Sequence, residues 1–270
     1  MPVTTDWVRY DDNLGYLAWP ERAGGSLPAL LVIQEVWGVD EHIQDVTRRL
    51  AAAGYAALAP DLYASGGERP PATAADRIGE LKALTNSLPP AVWANPAQRE
   101  AEIAKLPSPA RERIGETYQA LFGSLGQLGR HLPPLRSAVN YLRTTCPWSR
   151  GQKVACVGFC MGGGLSALLA CEETELAGAA VFYGNSPPAD LVPNIGCPVI
   201  GFYGARDPRI MAGVPAFVQA MQAAGKSFAH FVYDEAGHAF FNDTRPSYRV
   251  RAARDAFARL LEFLQRTTSP

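Results

Sequence analysis

The chain has 270 residues, enough to bury a large core as one domain, with 25 Lys and Arg against 26 Asp and Glu and an apolar fraction of 47%. That balance supplies no basic stripe for nucleic acid, and no uninterrupted apolar run is long enough to cross a bilayer. Five irregularly spaced cysteines make no disulfide framework and Met1 to Trp7 hold no basic-then-apolar leader, so a cytoplasmic setting is expected.

Short strands alternating with helices predict an α/β fold with a mostly parallel sheet over residues 1–270. Residues 8–10 and 14–19, separated by Asp11-Asp12-Asn13, read as an antiparallel opening hairpin, and 29–34 as the first buried strand. Asp40 caps a helix to about residue 53, which Gly54 ends. Residues 56–59 form the next strand, followed by Pro60-Asp61-Leu62-Tyr63. From 65 to about 135 the chain changes character: Pro70-Pro71, Pro89-Pro90, Pro107, Pro109 and Pro133-Pro134 divide amphipathic helical pieces. A structureless loop of that length is unusual inside a domain, so this stretch reads as helices inserted over the C-terminal edge of the sheet, either a lid or a fixed decoration. Strands then follow at 153–157, 178–183, 198–203 and 227–233, with helices near 214–224 and 248–266.

The most informative segment is Gly158-Phe159-Cys160-Met161-Gly162, between an apolar strand and an Ala/Leu-rich helix. This is a nucleophile elbow, G-x-nucleophile-x-G, with cysteine in the usual place of serine. The turn forces the nucleophile into a strained conformation and leaves no room for a side chain on either glycine. At a helix start, free backbone N–H groups and the helix dipole favour a thiolate and a developing oxyanion. A thiol needs a base, and the base an orienting group. Of His42, His131, His230 and His238, only His238 lies in a glycine-containing loop after a late strand, where such folds carry the base. Asp207, after the strand ending at Tyr203, keeps the order nucleophile, acid, histidine; Asp190, Asp234 and Asp243 compete, and Asp207 also reads as a turn or N-cap residue. The oxyanion donors are expected to be the amides of Met161 and of Val36, in the loop after the first buried strand. Glu35, in that same loop, is placed to lie close to Cys160.

These residues resemble the dienelactone hydrolases, or carboxymethylenebutenolidases, of the α/β-hydrolase superfamily. The likeness is carried by Gln34-Glu35-Val36-Trp37-Gly38, Pro60-Asp61-Leu62-Tyr63, Gly158-Phe159-Cys160-Met161-Gly162-Gly163, Tyr203-Gly204-Ala205-Arg206-Asp207 and Gly237-His238-Ala239-Phe240. It implies a Cys160–His238–Asp207 triad hydrolysing a lactone or small ester, with no metal or organic cofactor, in a monomer or homodimer. It further implies that Glu35 engages the resting thiol until substrate displaces it. Trp37, Tyr63 and Arg245 are candidates for touching substrate. Two departures bear on substrate choice: the 65–135 region is long for the family, and Asn242 stands where family members place a carboxylate-binding arginine. Arg245, Arg69 or Arg77 could take over that task, since a guanidinium holds a carboxylate bidentately. Asn242 also motivates a broader esterase or thioesterase reading. Cys160 with nearby Cys156 motivates a non-catalytic or redox-sensing one.

Overall fold

Among the described residues, 2–123 and 125–269, the computed structural model contains one eight-stranded sheet. β1 (Val3–Tyr10) and β2 (Asn13–Pro20) form the opening hairpin. β1 starts earlier than its sequence suggests, because main-chain pairing of Val3 with Pro20 through Trp7 with Tyr16 holds an edge too polar to show a strand pattern. β3 (Ala29–Ile33), β4 (Ala56–Pro60), β5 (Val154–Phe159), β6 (Ala179–Phe182), β7 (Val199–Gly204) and β8 (Phe228–Tyr233) complete the sheet. The order is β1-β2-β4-β3-β5-β6-β7-β8. The hairpin is antiparallel within itself and to β4, and every later pairing is parallel. β3 to β7 are buried along their whole length, which is why they read as continuous apolar runs rather than alternating ones.

Helix α1 (Glu41–Ala52) starts at Asp40, whose side chain accepts from Ile43 N as expected of a cap. The predicted insertion is helical. It holds a 3₁₀ turn at Pro71–Thr73, α2 (Ala75–Ser87), α3 (Pro90–Ala94), α4 (Pro96–Ala104), α5 (Ala110–Phe122) and a 3₁₀ stretch at Leu125–His131. Pro71, Pro90 and Pro96 each open an element, the one helical position where a missing N–H costs nothing. The crossover helix α6 (Leu132–Thr144) follows, then α7 (Met161–Glu172), α8 (Pro208–Met211), α9 (Val214–Ala223) and α10 (Val250–Thr268).

Alternate strand residues feed two cores. Leu31, Ile33, Cys156 and Val181 pack with Leu135 of α6, Leu169 of α7, Phe217 of α9 and Ile78 of α2. Leu30, Val32, Val157 and Phe182 pack with Ile43 and Leu50 of α1 and Leu260 of α10. Helices thus cover both faces. The loops at the C-terminal ends of the parallel strands gather at one edge of the sheet, where ligands bind in such folds. All five cysteines are free thiols. Among the described residues no helix is long and apolar enough to cross a membrane.

Candidate active site

Cys160 leaves β5 at φ +55° and ψ −113°, and α7 begins one residue later. A Cβ on Gly158 would run into the Gly162 carbonyl, and one on Gly162 into the carbonyl of Ile33. Both elbow glycines are therefore required by backbone approach, as the sequence predicted. The turn is tied to the sheet by Cys160 N donating to Phe182 O at 3.0 Å. It leaves the Cys160 side chain partly exposed at the N-terminus of a twelve-residue helix.

His238 arrives from the loop after β8, with its Nε2 3.0 Å from Cys160 Sγ. Its Nδ1 lies 2.5 Å from Asp207 Oδ2. Asp207 follows β7 and is buried, and its other oxygen accepts from Ile210 N at 3.4 Å to cap α8. The cap and the histidine partner are thus one residue, one oxygen each. Burial disfavours a charged imidazole. The negative charge on Cys160 and the bond from Asp207 outweigh it, and the His238 pKa rises to about 10. A third of the ring's surface reaches solvent, which screens part of that attraction.

Glu35, directly after β3 and buried, does not take the thiol as the family resemblance implied. Its Oε1 accepts from Tyr183 Oη at 3.1 Å and its Oε2 from Asn242 Nδ2 at 2.8 Å. Cys160 faces His238 instead. Asn242, which stands where the sequence had invited comparison with an arginine reaching for substrate, is fully buried and gives its amide to Glu35. Tyr183, which sequence reasoning missed, leaves β6 at φ +40° and stands edge-on to His238, ring centroids 5.3 Å apart. Burial and the Glu35 charge push its pKa well above the ordinary value, so it stays a donor. Its place at the end of a predicted strand was the only available signal.

The loop carrying Val36 is braced from below. Tyr63 Oη donates to Val36 O at 2.7 Å, Gly38 N to Glu35 O at 3.2 Å, and Gln34 Oε1 accepts from Leu62 N at 3.2 Å. Tyr63 therefore gives its hydroxyl proton to this loop. Met161 N is the first amide of α7, a position without an intrahelical acceptor. Trp37 lies between the insertion and the His loop, 5.8 Å from Phe122 and 5.3 Å from the Arg245 guanidinium, centroid distances in each case. The three arginine candidates part company. Arg69 pairs with Asp61 at 2.6 Å and Arg77 with Glu116 at 2.7 Å, whereas among the described residues Arg245 has no carboxylate partner.

Among the described residues none of the other histidines hydrogen-bonds Cys160. His42 is buried on α1, 3.6 Å from Asp243, His131 is buried at the start of α6, and His230 is exposed on β8. Surface hollows of about 420 and 430 Å³, one beside Arg136 and Glu172 and one beside Asp11 and Asp61, do not include Cys160. Among the described residues no group of three or more His, Cys, Asp or Glu is arranged to hold a metal ion.

A family model described as "Dienelactone hydrolase family" matches residues 14–268. A protein of Saccharolobus solfataricus named "Putative carboxymethylenebutenolidase" is 33% identical over 268 residues, covering 94% of this chain and 93% of its own. A protein of Escherichia coli with the same name is 32% identical over 266 residues, covering 94% and 83%. Among solved structures, one described as a "Putative Dienelactone Hydrolase" from Klebsiella pneumoniae aligns with TM-score 0.72 and 26% identity, covering 98% of this chain and 99% of its own. A dienelactone hydrolase of Anabaena variabilis shares the fold at TM-score 0.63 and 16% identity, covering 99% of each chain.

Proposed function

Because the chain belongs to the dienelactone hydrolase family, we propose that it hydrolyses a lactone or small carboxylic ester through Cys160, His238 and Asp207. The observation that carries this reading is the contact series Sγ to Nε2 at 3.0 Å and Nδ1 to Asp207 at 2.5 Å, on an elbow that presents the sulfur at a helix N-terminus. In this reading the Cys160 thiolate, stabilised by the His238 imidazolium, attacks the substrate carbonyl carbon. The amides of Met161 and Val36 hold the oxyanion. As the tetrahedral intermediate collapses, the ester C–O bond breaks and His238 gives its proton to the departing oxygen. His238 then takes a proton from water, whose oxygen attacks the thioester, and the carboxylic acid leaves as the thiolate returns. Asp207 holds the imidazole in the tautomer that points Nε2 at sulfur. No metal or organic cofactor enters these steps.

Arg245, stacked on Trp37 and without a carboxylate partner among the described residues, is the arginine candidate for reading a substrate carboxylate, which favours an acidic lactone of the dienelactone kind. A broader esterase is the second reading, supported by Asn242 being engaged with Glu35. A redox role draws little support from Cys156. It is sealed in the core against Ser166, and burial pushes its thiol up to about 12.

The test is steady-state hydrolysis of a dienelactone and of p-nitrophenyl acetate by wild type and Cys160→Ala. Loss of turnover by at least ~10³-fold in the variant is expected. A fully active variant would sink the mechanism. A preference of about tenfold or more for the dienelactone, lost in Arg245→Gln, supports the anion-reading pocket, and its absence supports the broader esterase.

A further inference from the structure

The buried carboxylate of Glu35 is connected to the surface by hydrogen bonds that all run one way. Lys82, on α2 of the insertion, donates from Nζ to Thr244 Oγ1 at 2.9 Å. Thr244 donates from Oγ1 to Asn242 Oδ1 at 2.7 Å, and from its backbone N to the same oxygen at 3.0 Å. Asn242 donates from Nδ2 to Glu35 Oε2 at 2.8 Å. An ammonium has no lone pair to offer, so Lys82 forces the threonine hydroxyl to accept from it and to turn its own proton toward Asn242. Two donors on Oδ1 then fix which end of the amide faces the carboxylate. A flipped amide would set Oδ1 against Oε2 and Nδ2 against two donors, a loss on both sides in a site closed to water. Glu35 in turn sits in the loop that carries Val36, whose carbonyl Tyr63 already pins.

We propose that Lys82, Thr244 and Asn242 are positioning residues. Together they orient Glu35 and through it hold the Val36 amide at the oxyanion position, so that an inserted helix distant in sequence helps to set the rate. This rests on the hydrolase reading of Cys160 given above. The insertion is then a working part of the site rather than a cover. Its influence falls on the transition state, because a loop donor displaced by a fraction of an ångström loses most of its hold on a developing oxyanion and little of its contact with the ground state.

Lys82 also bridges Asp40 Oδ2 at 2.6 Å, where Asp40 caps α1, so its removal disturbs more than the relay. Thr244 separates the two roles. In an enzyme whose turnover Cys160→Ala abolishes, Thr244→Val is expected to lower kcat about fivefold with KM changed by less than about twofold, and Thr244→Ser to restore it. Lys82→Met is expected to lower kcat by a similar factor, and to add nothing further when combined with Thr244→Val. Retained turnover in Cys160→Ala would instead strike at the hydrolase reading itself. The relay is overturned if Thr244→Val matches wild type, if its loss falls on KM alone, if Thr244→Ser fails to rescue, or if the Lys82 and Thr244 losses simply multiply.

Discussion

At the scale of single residues, the charge on His238 is the most direct statement the site makes. Among the forces that raise its pKa to about 10, the negative charge on Cys160 comes first, ahead of the Asp207 hydrogen bond. The sign follows: an anion beside an imidazole favours the protonated ring. Replacing Cys160 by alanine removes the sulfur's contribution and leaves Asp207 alone against burial. The imidazole of Cys160→Ala should therefore titrate well below that of the wild type, as followed by NMR of the ring protons. Equal midpoints in the two proteins would mean that the sulfur carries no charge at rest. The sequence made Cys160, His238 and Asp207 legible because each lies in a loop whose form is dictated locally, by glycines or by a cap. Asn242, Tyr183 and Lys82 were not legible in that way. Their partners lie far away along the chain, and a buried amide four residues after a histidine has no sequence signature of the carboxylate it meets.

At the scale of elements, the insertion was readable because prolines mark helix starts in sequence and space alike. Its attachment was not, since Phe122 finds Trp37 and Lys82 finds Thr244 only once the chain has folded. The joint between the Leu125–His131 stretch and α6 has its own titration. His131 is buried as the residue before α6, with Arg130 Nε donating to its Nε2 at 3.2 Å. Burial first, then the Arg130 charge, lowers its pKa to about 4, and the positive end of the α6 dipole acts in the same sense. The unfolded chain, with a normal histidine near pH 6.5, binds more protons than the folded one between those values. The group's contribution is thus in place above about pH 6.5 and is lost as pH falls toward about 4. On the scale of 1.36 kcal/mol per pKa unit, about 3 kcal/mol is at stake. Denaturant titrations of wild type and His131→Gln should converge or cross as pH drops through that window, the variant showing the flatter slope. Parallel pH profiles would show that His131 is protonated without strain.

At the scale of the whole molecule, the site is a property of the sheet's order rather than of any one segment. Glu35, Cys160, Tyr183, Asp207 and His238 each follow a different parallel strand, and they span the chain from the first buried strand to the last. The alternation of strands and helices in the sequence was enough to foresee this, because parallel strands send all their C-terminal ends to one edge. What it did not show is that the last strand, β8, is an edge held on one side only, by β7. If the strands unfold as a unit, loss of esterase activity and loss of tryptophan fluorescence should share one denaturant midpoint. An earlier loss of activity would show that β8 and the His238 loop open by themselves. Of the five thiols distributed through this fold, four are buried and Cys160 alone is partly exposed. A stoichiometric thiol reagent added to the native protein therefore acts as a count of folded molecules: one label per properly folded chain, at Cys160, and up to five once the fold is gone.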